Sequence, residues 1–341
     1  MRHLLRIGLT FLLLLGLFIS AASPLSAKTY RFNYSVFFPA SHGQAKAAEA
    51  WAKEVEAKSE GRIKITLFPG GTLTSAKNCF DGVVNGISDI GMSVFAYNRG
   101  RFPVMEACDL PLGYPDGLTA SRAVNAYFQN NTPKELSKVK VLYLHAHGPG
   151  LLHTKKPVKQ LADLKGMKIR STGLSAKVVE ALGGIPVAMP QPSTYEALQK
   201  GVVEGTFGPV EVLKGWRQAE VVKSTTLCES VGYTTTMYVV MNKSKWNRLP
   251  QDLKTILEET SRTWVDVHGE AWDSLDSNGL DYTLGKGNGV VELSGEEKAL
   301  WKEAVQPVVN DYVKRTRQKG ISGDTLVKNL IHHIGSQDNK E

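Results

Sequence analysis

At residues 164–171 the chain reads Leu164-Lys165-Gly166-Met167-Lys168-Ile169-Arg170-Ser171. Gly166 predicts a turn, and the apolar residues after it predict a short buried strand that ends on Arg170. Open α/β sheets bind ligands beyond the carboxyl ends of their strands, so we expect the Arg170 guanidinium to face a cleft. Its planar fork of donors fits a carboxylate through two parallel hydrogen bonds. A surface ion pair is the alternative for Arg170, and the surrounding pattern favours the cleft.

The first half of the chain alternates predicted strands with helices. Apolar residues recur at every second position over 30–36, 63–67 and 90–94, which predicts three strands. Ser41 is the expected cap of the helix after the first strand, and Ile87 closes the apolar stripe of the helix after the second.

The second half repeats this order. Its predicted strands cover 167–170, 185–187 and 202–207, again with helices between them. The junction Gly201-Val202-Val203-Glu204 matches Gly86-Ile87-Ser88-Asp89 in the first half. Strands that alternate with helices call for parallel sheets with right-handed crossovers, so the sequence predicts two similar α/β lobes.

Segments that join the halves predict a hinge. A strand over 139–144 runs into the glycine-rich residues 145–150, and a second crossing lies near 233–242. Beyond Pro250, apolar residues at helical spacing continue from Leu253 onwards. The length of that pattern predicts a helix that packs along both lobes.

The first 27 residues have the pattern of a signal peptide. Basic residues near the start precede the apolar run Ile7–Ile19, and Ala27 is the expected cleavage point. An uncleaved anchor is the less favoured alternative, because a membrane span needs roughly 20 apolar residues. We therefore expect an exported protein that is not itself membrane-embedded. The net charge of the full sequence, +8, is dispersed without a basic stripe, which argues against nucleic acid as a partner.

Cysteine spacing and motif searches predict no enzyme, metal site or cofactor. The chain has three cysteines, Cys79, Cys108 and Cys228, and none lies in a pair with metal-ligand spacing. Buried, inert thiols are expected, with a Cys79–Cys108 disulfide as an open alternative. No Gly-x-Ser-x-Gly, HExxH or phosphate-binding loop occurs in the sequence.

Five segments in a fixed order resemble one protein family. They are Phe68-Pro69-Gly70-Gly71-Thr72-Leu73, Gly86-Ile87-Ser88-Asp89-Ile90, Leu110-Pro111, the segment 163–170 and the segment 195–205. With the signal peptide and the paired lobes, they make the chain similar to the extracytoplasmic solute-binding proteins of TRAP (tripartite, ATP-independent periplasmic) transporters, of the DctP type.

The resemblance implies an α/β, two-lobed periplasmic-binding-protein-like fold with a hinge. Lobe one would comprise residues 28–145 plus about 237–250, and lobe two residues 146–236. Residues 251–341 would form the long lobe-spanning helix and further helices that pack on both lobes. Such a periplasmic protein closes over a small organic anion and delivers it to the membrane subunits of a TRAP permease. Arg170 would hold the ligand carboxylate.

Departures from the family pattern narrow the ligand. Gly208 stands where binders of dicarboxylates or sialic acid usually have Asn, and Gly150 or a neighbour stands where sialic-acid binders have a second arginine. A site with one arginine should prefer a monocarboxylate. The two glycines and Phe207 are expected to leave space for a bulky or aromatic side chain. Glu211 could face an amino group, which would indicate an amino acid, or could be a solvated carboxylate at a helix start.

Further ligand contacts are expected at strand ends and crossings. Both lobes must contact the ligand if binding is to favour closure. Core packing is the alternative for Phe38, and an internal hinge contact is the alternative for His147. A ligand-presenting partner of a membrane receptor would need the same closed lobes, so that function stays open beside transport. The candidates besides Arg170, Phe207, Gly208 and Glu211 are Phe38, Ser93, Tyr97, His147, Ser171, Gln191 and Tyr233.

Overall fold

The structure is a computed structural model that describes residues 28–338. The predicted signal peptide, residues 1–27, lies outside the described residues. In the described part, no helix has the length and apolar character that a membrane crossing requires.

Strands and helices alternate through most of the described chain. The strands are β1 (Tyr30–Val36), β2 (Ile63–Phe68), β3 (Ile90–Val94), β4 (Val139–Ala146), β5 (Leu151–Thr154), β6 (Lys168–Ser171), β7 (Ile185–Ala188), β8 (Gly205–Gly208), β9 (Ser224–Leu227), β10 (Thr236–Asn242) and β11 (Gly289–Glu292). The α-helices are α1 (Gly43–Lys58), α2 (Cys79–Val84), α3 (Gly117–Asn131), α4 (Ser175–Ala181), α5 (Thr194–Gln199), α6 (Val212–Gly215), α7 (Lys243–Asn247), α8 (Gln251–Gly285), α9 (Gly295–Gln318) and α10 (Gly323–Asp338).

The strands form two sheets, as the repeated pattern predicts. The first sheet has the order β2-β1-β3-β10-β4, and the second has the order β11-β9-β5-β8-β6-β7. In the first sheet β1 is parallel to β2 and β3. In the second, β6 is parallel to β7 and β8. The paired β-α-β arrangement is therefore confirmed.

The expectation of parallel sheets holds only for the strands that helices connect. In the first sheet β10 runs antiparallel to both β3 and β4. In the second sheet β5 runs antiparallel to both β8 and β9. These strands belong to the segments that join the two halves. Each joining segment enters its sheet against the direction of the helix-connected strands, so both sheets are mixed.

Several predicted element ends also need correction. His42, not Ser41, caps α1, because its Nδ1 accepts a hydrogen bond from the Gln44 amide. The helix α2 ends at Val84, and Ile87 lies outside it with 58% of its surface exposed. The last predicted strand of the second half begins at Gly205, not at residue 202.

Glycines explain why these apolar residues lie outside the predicted elements. Gly86 and Gly201 have φ angles of 77° and 74°, a left-handed conformation that ends a helix. Each glycine precedes an exposed apolar residue, Ile87 or Val202. An apolar residue after a terminating glycine can thus fit the sequence pattern of a helix, as Ile87 does, or of a strand, as Val202 does, without belonging to that element in the structure.

The predicted long helix is α8, which extends over 35 residues from Gln251 to Gly285. It packs against α1, α3 and β4 on the side of the first sheet, and against α6 and β11 on the side of the second. Leu253, Leu257 and Trp272 are among its buried residues. The expectation of a helix that contacts both halves is confirmed.

The three cysteines are buried and unbridged, so the open alternative of a Cys79–Cys108 disulfide is wrong. Burial raises the pKa of the Cys79 thiol to about 11 and that of Cys108 well above its usual value. A protonated, buried thiol is a poor nucleophile. These residues therefore contribute to packing.

Candidate functional site

A cavity lies between the two sheets, beyond the ends of several strands. Most of its lining is aromatic or apolar. Its walls include the predicted residues Phe38, Tyr97, His147, Arg170, Gln191, Phe207, Gly208, Glu211 and Tyr233, together with Phe37, Val94, Thr172, Pro209, Val212, Trp216, Thr235, Met237 and Trp272.

Arg170 is a buried cation at the end of β6. Only 4% of its surface is exposed, so the alternative of a surface ion pair is wrong. Its Nε and Nη2 both donate to the Met189 carbonyl oxygen, at 3.1 and 2.9 Å. No carboxylate in residues 28–338 forms an ion pair with it. Burial lowers the pKa of Arg170, because an isolated charge is costly away from water.

Ser93 and Ser171 lie outside the cavity lining. Both are buried, and the Ser93 hydroxyl donates to the Ala76 carbonyl oxygen at 2.6 Å. Ser171 directly follows Arg170, and successive residues of a strand point to opposite faces. The same alternation separates Ser93 from Val94, which does line the cavity. The sequence prediction located the strand ends correctly but not which side of the sheet each serine faces.

Tyr97 links the two sides of the cavity. It follows β3 of the first sheet, whereas Gln191 follows β7 of the second. The Tyr97 hydroxyl accepts a hydrogen bond of 3.2 Å from the backbone N–H of Gln191. Burial raises the pKa of the Tyr97 phenol, while the nearby charge of Arg170 lowers it and that of Glu211 raises it. The hydroxyl therefore lies within the electrostatic reach of both charged side chains of the cavity.

His147 is a neutral member of the lining. Its Nδ1 donates to the Gly148 carbonyl oxygen, so Nε2 is left as a hydrogen-bond acceptor. Burial lowers the pKa of His147 to about 4. The imidazole therefore carries no charge at neutral pH and does not compete with Arg170 for an anion.

The two glycines that were expected to leave space differ. A Cβ at Gly150 would lie 2.0 Å from the Tyr233 Cε1 atom, so Tyr233 already fills that space and the expectation is wrong there. The Tyr233 ring in turn stacks on Phe207 at 4.7 Å. A Cβ at Gly208 would meet only the Val212 Cγ1 atom, at 3.8 Å. Space for a ligand therefore lies beside Gly208.

Glu211 is not solvated, contrary to one of the two expectations, because only 2% of its surface is exposed. Its Oε2 lies 2.8 Å from the Nε2 of His42. Its own amide donates to the Asp276 Oδ1 at 2.7 Å. Burial raises the pKa of Asp276 to about 8, and the Glu211 charge adds to that shift. Glu211 thus joins the segment after β8 to the start of α1 and to α8.

Sequence reasoning missed the residues that close the cavity from a distance. His42 reaches Glu211 across 169 positions of the chain, and Trp272 comes from the middle of α8. Trp216 stacks on Phe37 with ring centroids 6.2 Å apart. The histidine directly before α1 was the one local signal for His42. No local pattern indicates which turn of a 35-residue helix faces the cavity.

Comparison with known proteins places these features in a family. The family model described as "DctP: Bacterial extracellular solute-binding protein, family 7" matches residues 34–316. The 2,3-diketo-L-gulonate-binding periplasmic protein YiaO of Escherichia coli K12 is 27% identical over 256 residues, which are 74% of this chain and 77% of that protein.

Two solved structures are similar over almost the whole chain. A marine metagenome TRAP solute binding protein specific for aromatic acid ligands, in complex with 3-hydroxybenzoate, is 31% identical with a TM-score of 0.87, and the alignment covers 92% of this chain and 100% of that one. A TRAP solute binding protein of Rhodoferax ferrireducens T118, in complex with copurified benzoate, is 29% identical with a TM-score of 0.86, and the alignment covers 91% and 99%.

Proposed function

Because the chain belongs to the DctP family of bacterial extracellular solute-binding proteins (family 7), we propose that it binds a bulky or aromatic monocarboxylate in the periplasm and delivers it to a TRAP permease. The observation that carries this proposal is the buried guanidinium of Arg170, which has no carboxylate partner in residues 28–338 and lies in an aromatic cavity.

Charge argues for a monocarboxylate. Arg170 is the only lysine or arginine among the described residues that line the cavity. One ligand carboxylate would neutralise it through charge-assisted hydrogen bonds, each worth roughly 1.5–3 kcal/mol. The Tyr97 hydroxyl, which already accepts from Gln191, still has its own proton to donate to the same carboxylate.

The walls argue for an aromatic or bulky ligand body. Phe37, Phe207, Tyr233 and Trp216 offer flat apolar surfaces, and the open side of Gly208 leaves room between them. Aromatic pairs gain about 0.5–1.5 kcal/mol beyond the burial of their area. Similar proteins that bind benzoate and 3-hydroxybenzoate support this ligand class.

Closure follows from contacts on both sides of the ligand. The fold is two-lobed, and we assign residues 28–145 plus about 237–250 to lobe one and residues 146–236 to lobe two. The Tyr97–Gln191 and His42–Glu211 hydrogen bonds cross this boundary. A ligand that contacts Arg170 on lobe two and Phe38 on lobe one would favour the closed arrangement. Export by the segment 1–27 would bring the protein to the periplasm.

Glu211 does not require an amino acid as the ligand. Its Oε2 already has an internal partner in His42, so no ligand ammonium is needed to satisfy that oxygen. An amino acid that raised the melting temperature more than its deaminated analogue would reverse this argument.

The test is a ligand screen on the mature protein. Thermal shift would compare aromatic acids, aliphatic monocarboxylates, 2-oxo acids and amino acids, and mass spectrometry would identify any ligand that copurifies. We expect the largest shifts with aromatic monocarboxylates, with Arg170→Ala as the variant that loses them. Shifts confined to dicarboxylates or to uncharged solutes would overturn the proposal.

A further inference from the structure

The proposed function leaves one buried charge unexplained, the carboxylate of Glu211. It is the only acidic side chain among the described residues that line the cavity. A carboxylate in the lining of a cavity that binds anions repels negative charge on the ligand. An inference about it rests on the proposed function and concerns which anions are admitted.

Hydrogen bonding locates the proton of the His42–Glu211 pair. The Nδ1 of His42 accepts a hydrogen bond of 3.1 Å from the backbone N–H of Gln44, so that nitrogen carries no proton. The proton of the neutral ring is then on Nε2, which donates to the Glu211 Oε2 at 2.8 Å. His42 therefore holds the carboxylate in place without supplying a positive charge.

No other cation compensates Glu211. Within residues 28–338, the only basic side chain within ion-pair distance of it is His42. Arg170 and Glu211 line the same cavity without forming an ion pair. The cavity thus carries a positive charge on Arg170, beside the Met189 carbonyl, and a negative charge on Glu211, beside His42. Neither charge has an oppositely charged partner among the described residues.

The Glu211 carboxylate is also fixed in position. A methyl group at Gly215 would lie 2.5 Å from its Oε2 and 2.8 Å from the His42 Nε2, so backbone packs closely on the pair. Its amide is held by Asp276. The charge of Glu211 reaches the Tyr97 hydroxyl, which also lies near Arg170. A ligand held by Arg170 would therefore lie within the field of this carboxylate.

We propose that Glu211 is a specificity-determining residue that excludes ligands with a second carboxylate from the cavity. One carboxylate would bind Arg170, and the second would enter the part of the same cavity that Glu211 lines. Like charges repel strongly where water is excluded. Specificity of this kind rests on a repulsive element and not only on attractive contacts.

The test is isothermal titration calorimetry with three ligands that differ only at one ring position. Benzoate carries hydrogen there, 3-nitrobenzoate carries a neutral group close in shape to a carboxylate, and isophthalate carries the carboxylate itself. The parent protein should bind isophthalate at least 100-fold more weakly than 3-nitrobenzoate. Glu211→Gln should narrow that ratio at least tenfold.

A matched variant tests whether the binding ratio depends on a charge at the cavity or only on the net charge of the protein. Glu196→Gln removes the same charge from an exposed position paired with Lys200, and it should leave the ratio unchanged. If Glu211→Gln does not fold, Glu211→Met, which is uncharged and of similar length, takes its place under the same expectation.

The outcomes distinguish this inference from the proposed function. Weak binding of 3-nitrobenzoate, equal to that of isophthalate, would indicate exclusion by size and overturn the role of Glu211. An unchanged ratio in Glu211→Gln would also overturn it, with the proposed function intact. If neither benzoate nor 3-nitrobenzoate binds the parent protein, the proposed ligand class itself is wrong.

Discussion

At the scale of single residues, Arg170 decides whether the cavity attracts an anion. Its charge is buried beside the Met189 carbonyl, and removing it should not destabilise the protein without ligand, because an unpaired buried charge costs free energy. We expect Arg170→Ala to weaken benzoate binding at least tenfold, or about 1.4 kcal/mol. Calorimetry measures the affinity, and thermal unfolding of the ligand-free protein should be nearly unchanged.

Arg170→Lys is the matched control for geometry. It keeps the charge but loses the planar pair of donors, so we expect an affinity between those of the parent and the alanine variant. An alanine variant that binds benzoate as tightly as the parent would show that another group holds the carboxylate.

Two glycines provide a second prediction at this scale, because they differ in what surrounds them. Gly208→Asn adds a side chain where only Val212 is near, so it should fill ligand space and weaken benzoate binding about tenfold with little change in stability. Gly150→Ala should instead destabilise the protein by about 1–3 kcal/mol, because its methyl would overlap the Tyr233 ring. Urea unfolding and calorimetry separate the two effects. Tighter benzoate binding by Gly208→Asn would contradict the space argument.

At the scale of elements, the His42–Glu211 hydrogen bond joins the start of α1 to the segment before α6. The two segments belong to different sides of the cavity, so the bond should form on closure and break on opening.

Gly215→Ala would place a methyl 2.5 Å from the Glu211 Oε2 and disturb the bond. We expect ligand release to become about tenfold faster with a nearly unchanged association rate, measured by stopped-flow tryptophan fluorescence, since Trp216 and Trp272 line the cavity. Gly285→Ala is the control, because the added Cβ would have no neighbour within 4 Å. Equal release rates in the parent and Gly215→Ala would contradict this role.

The elements also show what could be predicted from the sequence. Local periodicity located β1, β6 and α8, because each has one buried face that alternates or recurs regularly. The short strand β11 pairs with β9 more than 60 positions earlier in the chain, and nothing in its own residues indicates that partner. Parallel pairing was predicted correctly where a helix connects the strands. It failed for β5 and β10, whose direction depends on how the chain crosses between the sheets.

The same distinction between local pattern and long-range packing applies to the residues of the site. Arg170 could be predicted because its position follows from one strand and one general rule about sheets. The roles of His42 and Trp272 could not, because they depend on how α1 and α8 lie against the second sheet. Glu211 was recognised as a candidate, but its partner lies 169 positions away, so its buried state could not be read from its neighbours.

At the scale of the whole molecule, hinge closure should be measurable. Residues from both sides line the cavity, and the Tyr97–Gln191 and His42–Glu211 hydrogen bonds join the two sides. We expect small-angle scattering to give a smaller radius of gyration with benzoate than without, because the ligand favours the arrangement in which both lobes contact it. Arg170→Ala at the same benzoate concentration should keep the ligand-free radius. Equal radii for the parent protein in both conditions would contradict closure.

Buried histidines make the stability of the whole molecule depend on pH. Burial lowers the pKa of His147 and His153 to about 4, and that of His268 to about 3. Their pKa in the unfolded chain is about 6.5, so below that pH the unfolded state takes up protons that the folded state does not. Their contribution to stability is therefore complete above about pH 6.5 and is lost as the pH falls towards 4.

Two buried carboxyls act in the opposite direction. Burial raises the pKa of Asp109 and of Asp276 to about 8, so the folded state keeps protons that the unfolded chain releases above about pH 4. Their contribution is complete below about pH 4 and is lost as the pH rises towards 8. His145, whose pKa burial lowers well below the usual value, joins the other three histidines. Burial also raises the pKa of Glu135 and of Asp273, by smaller amounts, so these two groups act with Asp109 and Asp276. The four histidines still leave a net loss of stability on acidification.

We therefore predict that the free energy of unfolding falls between pH 6.5 and 4.5, by about 1.4 kcal/mol per pH unit for each net proton. His153 can be tested separately, because its ring is buried with Nδ1 near the Thr225 hydroxyl and Nε2 near the Gly208 carbonyl, and no other histidine contributes to its pKa shift. In His153→Gln the slope should decrease by up to about 1.4 kcal/mol per pH unit, whatever the change in stability at pH 7. The exposed His332→Gln is the control and should keep the parent slope. Urea unfolding of the ligand-free proteins across this range measures the slopes, and a parent slope retained in His153→Gln would show that this imidazole is not held neutral by burial.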